Sequence, residues 1–144
     1  MESQTMGRVV TEATIENSGQ LWQAKQGQLP PDQVRRLVVS DALVDTGCTG
    51  LGLPSRFIKQ LGLTKVGEKQ ARSAGGLIQI GLYDAVRLTI MGRSMTVDPM
   101  EVPDDLPVLI GQIPLEMLDL VPDPQACKLI GNPAHGGDQI LELI

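Results

Sequence analysis

The sequence predicts a single domain that consists mostly of β-strands. Six segments of strand length are apolar or alternate between apolar and polar residues, and glycines and prolines stand between them as turn signals. These segments cover residues 9–15, 37–44, 77–82, 85–90, 95–102 and 140–144. At 144 residues, 42% of them hydrophobic, the chain is long enough for one core of ordinary size and short for two domains.

The remaining elements are expected to be few and short. Residues 18–36 are polar and poorly periodic, so we expect an extended loop or a hairpin there. Two short helices are expected at 54–61 and 114–120, because each begins with a proline, which the first turn of a helix tolerates. Gly62 is a natural end for the first helix, and Pro122 closes the second.

The composition argues against several classes of partner. A formal net charge of −5 disfavours binding to nucleic acid, which requires a basic face. Aromatic residues make up only 2% of the chain, which argues against stacking platforms for bases or sugars. One group of basic residues is interpreted as a solvated surface; its members are Arg56, Lys59, Lys65, Lys69 and Arg72.

Metal ions, other cofactors and membranes are not expected either. The chain has one histidine and no CxxC or HxxxH spacing, which leaves too few ligands for a zinc site. No apolar run approaches the roughly 20 residues that a membrane span needs. Cys48 and Cys127 lie far apart, and residues 1–7 contain no apolar leader segment, so a reducing cytoplasm is the expected compartment.

The strongest candidate for chemistry is Asp45. It directly follows an apolar strand, and Thr46 and Gly47 come after it. A carboxylate at the end of a buried strand is costly unless hydrogen-bond donors satisfy it, and these two neighbours could supply them. On the tripeptide alone we would favour an ordinary Asx-turn at the strand end, since Asp and Gly often mark turns.

A wider set of motifs resembles the retropepsin-like branch of the aspartic peptidases. The chain reads Leu43-Val44-Asp45-Thr46-Gly47, then Leu53-Pro54, Leu61-Gly62-Leu63, and farther on Val108-Leu109-Ile110-Gly111. Between them, Ser73-Ala74-Gly75-Gly76-Leu77 resembles the glycine-tipped flap of that family, although alone it would indicate a plain hairpin turn. The motifs occur in the family's order over residues 37–121.

The resemblance implies a closed β-barrel of the acid-protease type, with one or two short helices and one lobe per chain. It implies that Asp45 is the catalytic carboxylate and that Thr46 holds the partner's loop. By the same resemblance, Gly47 leaves room for the substrate backbone and Gly111 lets the second motif pack beneath the catalytic loop. Residues 73–77 would form the flap over a bound peptide.

A single catalytic carboxylate per chain implies a homodimer, because this family hydrolyses peptides with two carboxylates that share a proton across a water. Asp41 lies four strand residues from Asp45, roughly 13 Å at about 3.3 Å per residue, too far to share that proton. Other acidic residues are interpreted as exposed charge before Pro107, namely Asp98, Glu101, Asp104 and Asp105. The expected function is hydrolysis of a peptide or protein substrate between two copies of Asp45.

The resemblance covers residues 37–121, within a peptidase domain placed at 37–144. Residues 1–36 are assigned to the same domain as an N-terminal arm. We expect segments 9–15 and 140–144 to contribute to the dimer interface, because a small subunit has apolar edges to cover. Cys48 departs from the alanine or serine usual after the family's glycine and is interpreted as a small buried residue.

Three other readings stay open at this point. The same fold could be a dimeric peptide-binding or protein-binding module without efficient proteolysis, since a fold does not fix a function. The terminal segments could merely join two chains in a structural protein. Phosphoryl transfer through an aspartate nucleophile would also begin with a strand that ends in Asp, but it normally needs a metal site and more carboxylates.

Overall fold

The computed structural model describes residues 8–144, so the expectation that residues 1–7 contain no leader segment lies outside the described part. The fold is mostly β, with 45% strand and 20% helix. The strands are β1 (Val10–Asn17), β2 (Arg36–Val44), β3 (Leu51–Pro54), β4 (Lys65–Ser73), β5 (Gly76–Tyr83), β6 (Val86–Ile90), β7 (Arg93–Val97), β8 (Met100–Val102), β9 (Leu109–Ile110), β10 (Leu120–Asp123) and β11 (Lys128–Gly131). The helices are α1 (Ser18–Lys25), α2 (Ser55–Gln60) and α3 (Gln112–Leu118), with 3₁₀ turns at Pro31–Gln33 and Pro133–His135.

Nine strands form one curled sheet with the shape of a half-barrel. Their order across the sheet is β4-β5-β8-β3-β9-β2-β1-β6-β7, and β10 and β11 form a separate hairpin. Strand β9 lies between β2 and β3, parallel to the former and antiparallel to the latter. The chain therefore leaves the sheet after β2, returns as β3, and later inserts a third strand between those two.

One apolar core holds these elements together. Alternate residues of β1 face it, so Ala13 and Ile15 are buried while their neighbours are partly exposed. The largest fully buried side chains include Ile15, Leu51, Leu53, Leu61, Leu88, Ile90, Ile110 and Leu118. Burial of each such side chain contributes about 1.5–3 kcal/mol. In β2, the strand that precedes Asp45, Val39 and Ala42 are buried in the same core.

The expectation for residues 18–36 is wrong, because helix α1 begins there. Asn17 caps it, with the side-chain oxygen accepting a hydrogen bond from the N–H of Gln20 at 3.0 Å. The Asn17 amide also donates to the carbonyl oxygen of Leu61 at 2.9 Å and so ties the cap to the core. None of the helical residues is buried, so no apolar stripe exists that hydrophobic periodicity could have detected.

The other two helices are confirmed with shifted bounds. Helix α2 ends before Gly62, which has the left-handed φ of 68° expected of a terminating glycine. Helix α3 starts two residues before Pro114, so the proline occupies the third helical position, where its missing N–H still costs nothing. The helix ends at Asp119, which adopts a left-handed φ of 56°, and Pro122 lies in the following strand instead of closing the helix.

Two of the expected strands differ. The segment 95–102 is split at Asp98 and Pro99 into β7 and β8, which belong to distant parts of the sheet. The segment 140–144 forms no strand: the side chains of Leu143 and Ile144 are exposed, and the backbone N–H of Ile140 donates to Asp119. Four strands were not expected, namely β3, β9, β10 and β11, and β4 was implied only as the first strand of the predicted flap hairpin.

The position of β1 bears on the expectation for the dimer interface, which stays a prediction. Strand β1 pairs with β2 on one side and with β6 on the other, both antiparallel. The pairing with β2 covers most of β1, whereas the pairing with β6 covers only residues 14–17. Within residues 8–144, no helix is long and apolar enough to cross a membrane.

Candidate active site

Asp45 lies at the end of β2, where the chain leaves the sheet. Its backbone N–H donates to the carbonyl oxygen of Ile110 in β9 at 2.9 Å, which fixes the start of the loop. Its half-buried carboxylate accepts the N–H of Gly47 through Oδ1 at 3.0 Å, and its carbonyl oxygen accepts the N–H of Cys48 at 3.0 Å. The carboxylate is thus oriented by an Asx-turn and remains open on its other side to solvent.

The loop after Asp45 is fixed by the second motif. Gly111 donates its N–H to the carbonyl oxygen of Gly50 at 2.8 Å. The first two N–H groups of helix α3, from Gln112 and Ile113, donate to the carbonyl oxygens of Cys48 at 2.8 Å and Thr49 at 2.9 Å. The free N–H groups of a helix start and the free carbonyls of a turn therefore satisfy each other.

Close backbone contact explains the glycine at position 111. A Cβ atom there would lie 2.5 Å from the carbonyl oxygen of Cys48 and closer still to that of Gly50. The backbone itself is extended, with φ of −91°, so the requirement is for space and not for an unusual conformation. At Gly47, by contrast, a Cβ would lie 3.3 Å from Asp45 Oδ1, a contact that small shifts can accommodate.

Thr46 is exposed and lies at the rim of a shallow cavity of about 190 Å³. Helix α3 and the strand after it form the rest of the lining, with Gln112, Leu115, Glu116, Asp119, Leu120, Val121, Pro122 and Asn132. The structure thus places Asp45, Thr46, Gly47 and Gly111 together in one loop cluster.

Cys48 is half-buried in the same loop, so it is less buried than expected. Its Sγ lies 3.6 Å from the carbonyl oxygen of Gly50. Burial raises the pKa of the thiol; the hydrogen bond to Gly50 opposes this rise, and the negative charge of Asp45 adds to it. A raised pKa keeps the thiol protonated at neutral pH, so Cys48 is a poor nucleophile.

The predicted flap residues form the tip of the hairpin made by β4 and β5. Ser73 pairs with Gly76 across a two-residue turn of Ala74 and Gly75. Gly76 has a φ of 112°, and the hydroxyl of Ser73 donates to its carbonyl oxygen at 3.1 Å. Leu77 at the tip is 59% exposed. Strands β8, β3 and β9 separate this hairpin from the strand that carries Asp45.

Two members of the acidic group have structural roles that the sequence did not indicate. The carboxylate of Glu101 accepts hydrogen bonds from the hydroxyls of Ser55 at 2.6 Å and Tyr83 at 2.9 Å, which connects β8 to α2 and β5. The carboxylate of Asp104 accepts the backbone N–H of Arg56 at 2.8 Å in the first turn of α2. Within residues 8–144, no group of three or more His, Cys, Asp or Glu side chains could hold a metal ion.

A buried polar cluster near the C-terminus also escaped sequence reasoning. The Asp119 carboxylate accepts the backbone N–H of Ile140 at 3.0 Å and the Asn132 amide at 3.0 Å, and it lies 2.5 Å from His135 Nδ1. These hydrogen bonds lower the pKa of Asp119 to about 2, and Asp119 in turn raises the pKa of His135. The lone histidine was the one signal in the sequence, and its partner Asp119 lies 16 residues earlier.

The comparisons with known proteins leave the loop geometry as the main guide to function. The cluster consists of a half-buried carboxylate at a strand end, held by a second motif 65 residues farther along the chain, from Asp45 to Ile110. No protein-family model matches the sequence, and comparison with curated proteins gives no significant match.

Proposed function

We propose that this protein is an aspartic endopeptidase of the retropepsin-like type, active as a homodimer. The observation that carries the proposal is the docking of the second motif on the Asp45 loop. The N–H of Asp45 donates to the carbonyl oxygen of Ile110 at 2.9 Å, and the N–H of Gly111 donates to the carbonyl oxygen of Gly50 at 2.8 Å. An ordinary Asx-turn at a strand end would not need support of this kind from a distant, sterically obligatory glycine.

The proposed chemistry uses two copies of Asp45. Across a two-fold axis the two carboxyl groups would share one proton, because repulsion between two negative charges at short range prevents both groups from ionising. The ionised carboxylate would take a proton from a water molecule as it attacks the scissile carbonyl, while the protonated one would donate to the carbonyl oxygen. The pair titrates as a unit, so activity should follow a bell-shaped pH profile.

The dimer would also complete the fold. A half-barrel sheet is one lobe, and two lobes related by a two-fold axis would enclose a cleft with one Asp45 loop on each side. Thr46 is exposed beside Asp45, as it must be if it reaches the partner's loop. In this arrangement the closed acid-protease architecture belongs to the assembly, and a single chain has no complete active site.

The substrate would be an extended peptide with apolar side chains near the cleaved bond. In the hairpin of β4 and β5, one face carries Ala71 opposite Ile78 and Lys69 opposite Ile80. Because directly opposite residues share a face of the sheet, Ile78 and Ile80 give the hairpin an apolar side. Such a side can cover a peptide that pairs through its main chain and fills pockets with alternate side chains.

The test is cleavage of a mixed peptide library between about pH 4 and 7, followed by mass spectrometry. We expect the wild type to cleave and Asp45→Asn to lose at least about 10³-fold in rate, since it removes the shared carboxylate pair. Asp41→Asn is the matched control, because it changes an exposed carboxylate on the same strand. Pepstatin should inhibit the wild type, and dimer formation is recorded for each variant by light scattering.

Two outcomes would contradict the proposal. Equal cleavage by Asp45→Asn and the wild type would remove Asp45 from the mechanism. A folded, dimeric wild type that cleaves no peptide would favour the alternative function of a peptide-binding or protein-binding module, and binding of the same library without turnover would identify it.

A further inference from the structure

Strand β4 (Lys65–Ser73) forms one edge of the nine-stranded sheet. It pairs with β5 and, among the described residues, with no other strand. Seven of its nine residues are exposed and none is buried. An edge strand of this length presents a row of unpaired backbone groups, which is the template that strand addition uses.

The hairpin geometry identifies which backbone groups are free. Ser73 and Gly76 close a two-residue turn, so this pair exchanges hydrogen bonds, and the ladder then alternates along the strands. Ala71 and Lys69 direct their backbone groups toward β5. The N–H and carbonyl groups of Arg72, Gln70 and Glu68 therefore point away from the sheet.

The charges along this edge are positive, in contrast to the rest of the molecule. The hairpin residues 65–83 include three basic residues and one acidic residue, whereas the whole chain has a net charge of −5. Lys65 forms an ion pair with Glu68, so these two charges compensate each other. Lys69 and Arg72 take part in no salt bridge within residues 8–144.

We propose that the β4 edge binds an extended acidic segment of a partner protein as an added strand. Residues of the added strand opposite Arg72 and Lys69 lie three positions apart, whichever direction the strand runs. Opposite charges at directly paired positions stabilise a strand pair, so the segment should carry acidic residues with this spacing. The same positive charges would repel a second β4 edge and so prevent pairing between copies of this chain.

The backbone edge of β4 lies apart from the Asp45 loop, while Lys69 shares one face of the hairpin with Ile78 and Ile80. The Asp45 loop lies at the end of β2, four strands away from β5 in the sheet order. Binding at the edge would hold a partner beside the hairpin without occupying the cleft. It can therefore be measured on the Asp45→Asn variant, where no cleavage would complicate the result, and repeated on the wild type.

The test measures binding of labelled nine-residue peptides by fluorescence anisotropy at low ionic strength. The probe peptide alternates Thr and Val, with two Glu residues three positions apart. We expect saturable binding that weakens with salt, and about tenfold weaker binding to the double variant Lys69→Glu with Arg72→Glu. The double variant Lys59→Glu with Lys128→Glu is the matched control, because it changes net charge equally on exposed residues elsewhere.

A backbone variant separates strand addition from simple charge attraction. Gln70→Pro removes one outward N–H while leaving the hydrogen bonds to β5 in place, and edge strands tolerate proline. We expect Gln70→Pro to weaken binding at least about fivefold and to leave the circular dichroism spectrum unchanged. A fivefold change in affinity corresponds to about 1 kcal/mol, the contribution of one hydrogen bond. Full binding by Gln70→Pro, or by the Lys69/Arg72 double variant, would overturn the proposal.

The peptides provide two more checks. A peptide with its Glu residues two positions apart faces only one of the two basic side chains and should bind more weakly than the probe. Equal affinity for both peptides would contradict the predicted pairing. If no acidic peptide binds the folded chain, the edge charges serve only to prevent aggregation and the proposal fails.

Discussion

The backbone N–H of Gly111 donates to the carbonyl oxygen of Gly50 at 2.8 Å, in a place where no side chain fits. This hydrogen bond joins the second motif to the loop that carries Asp45. Gly111→Ala would force the two backbones apart, because its Cβ would lie 2.5 Å from the Cys48 carbonyl oxygen. We expect it to destabilise the fold by about 1–3 kcal/mol in urea unfolding.

The matched control for this prediction is Gly67→Ala. A Cβ at Gly67 would meet nothing within 4 Å, so we expect a change within about 0.5 kcal/mol. Gly111→Ala should also reduce peptide cleavage, because it displaces the Asp45 loop. Wild-type stability in Gly111→Ala would show that this contact does not constrain the loop.

The carboxylate of Asp45 combines a structural role with its proposed chemical one, and substitutions can separate them. Asn keeps an oxygen that accepts the Gly47 N–H, whereas Ala removes it. We therefore expect Asp45→Asn to retain the stability of the wild type and Asp45→Ala to lose about 0.5–1.5 kcal/mol. Both variants should lose cleavage. If Asp45→Ala is as stable as Asp45→Asn, the turn hydrogen bond contributes nothing to the fold.

Local signals made the Asx-turn at Asp45 and several element ends predictable. Gly62 ends helix α2 with a left-handed φ of 68°, as a glycine after an apolar helical stretch should. The two-residue turn between Ser73 and Gly76 lies one residue before the Gly75-Gly76 pair that indicates it. Each of these features depends on a few neighbouring residues, which is the range over which sequence patterns carry information.

The features that the sequence did not predict depend on distant partners. Strand β9 has only two residues, Leu109 and Ile110, and is defined by its position between β2 and β3. Segment 140–144 has the composition of a strand, yet Asp119 accepts the Ile140 N–H that a neighbouring strand would otherwise use. No local pattern could indicate either arrangement, because tertiary partners override β-propensity.

Arg93 fixes the C-terminal region to the main sheet, and we expect its replacement by lysine to destabilise the fold. Its guanidinium donates to the carbonyl oxygens of Leu118 at 3.0 Å, Asp119 at 2.8 Å and Gly137 at 2.5 Å. A lysine ammonium cannot reproduce this planar fork, so Arg93→Lys should cost about 1–2 kcal/mol in thermal or urea unfolding.

The control for Arg93 is Arg87→Lys, which changes an exposed arginine on the neighbouring strand β6. It should shift stability by less than about 0.5 kcal/mol. A similar loss in both variants would mean that the three carbonyl contacts have no special role.

Cys48 and Cys127 should differ in their reaction with iodoacetamide. Cys127 is exposed, whereas Cys48 is half-buried and its pKa is raised by burial, which lowers the fraction of reactive thiolate. Mass spectrometry after timed labelling at neutral pH should therefore find Cys127 modified first. If activity falls only as Cys48 is modified, Cys48→Ala should keep its activity in the presence of iodoacetamide. Cys127→Ala should still be inactivated by the reagent.

The pair of Asp119 and His135 makes stability depend on pH in a defined window. Contact with Asp119 raises the pKa of His135, so its contribution is complete below about pH 6.5 and is lost as the pH rises through the folded value. The pKa of Asp119 is lowered to about 2, so its contribution is present above about pH 4 and is lost on acidification. The cluster should therefore stabilise the chain most between about pH 4 and 6.5.

His135→Gln tests this window, because Gln keeps a hydrogen-bonding side chain but cannot become charged. We expect the variant to have a lower Tm than the wild type at about pH 5.5, and the difference to shrink as the pH rises through the raised pKa of His135. Asp138→Asn, an exposed neighbour, should leave the pH dependence of Tm unchanged. A Tm difference for His135→Gln that stays constant over this range would mean that the contact with Asp119 does not depend on the charge of the imidazole.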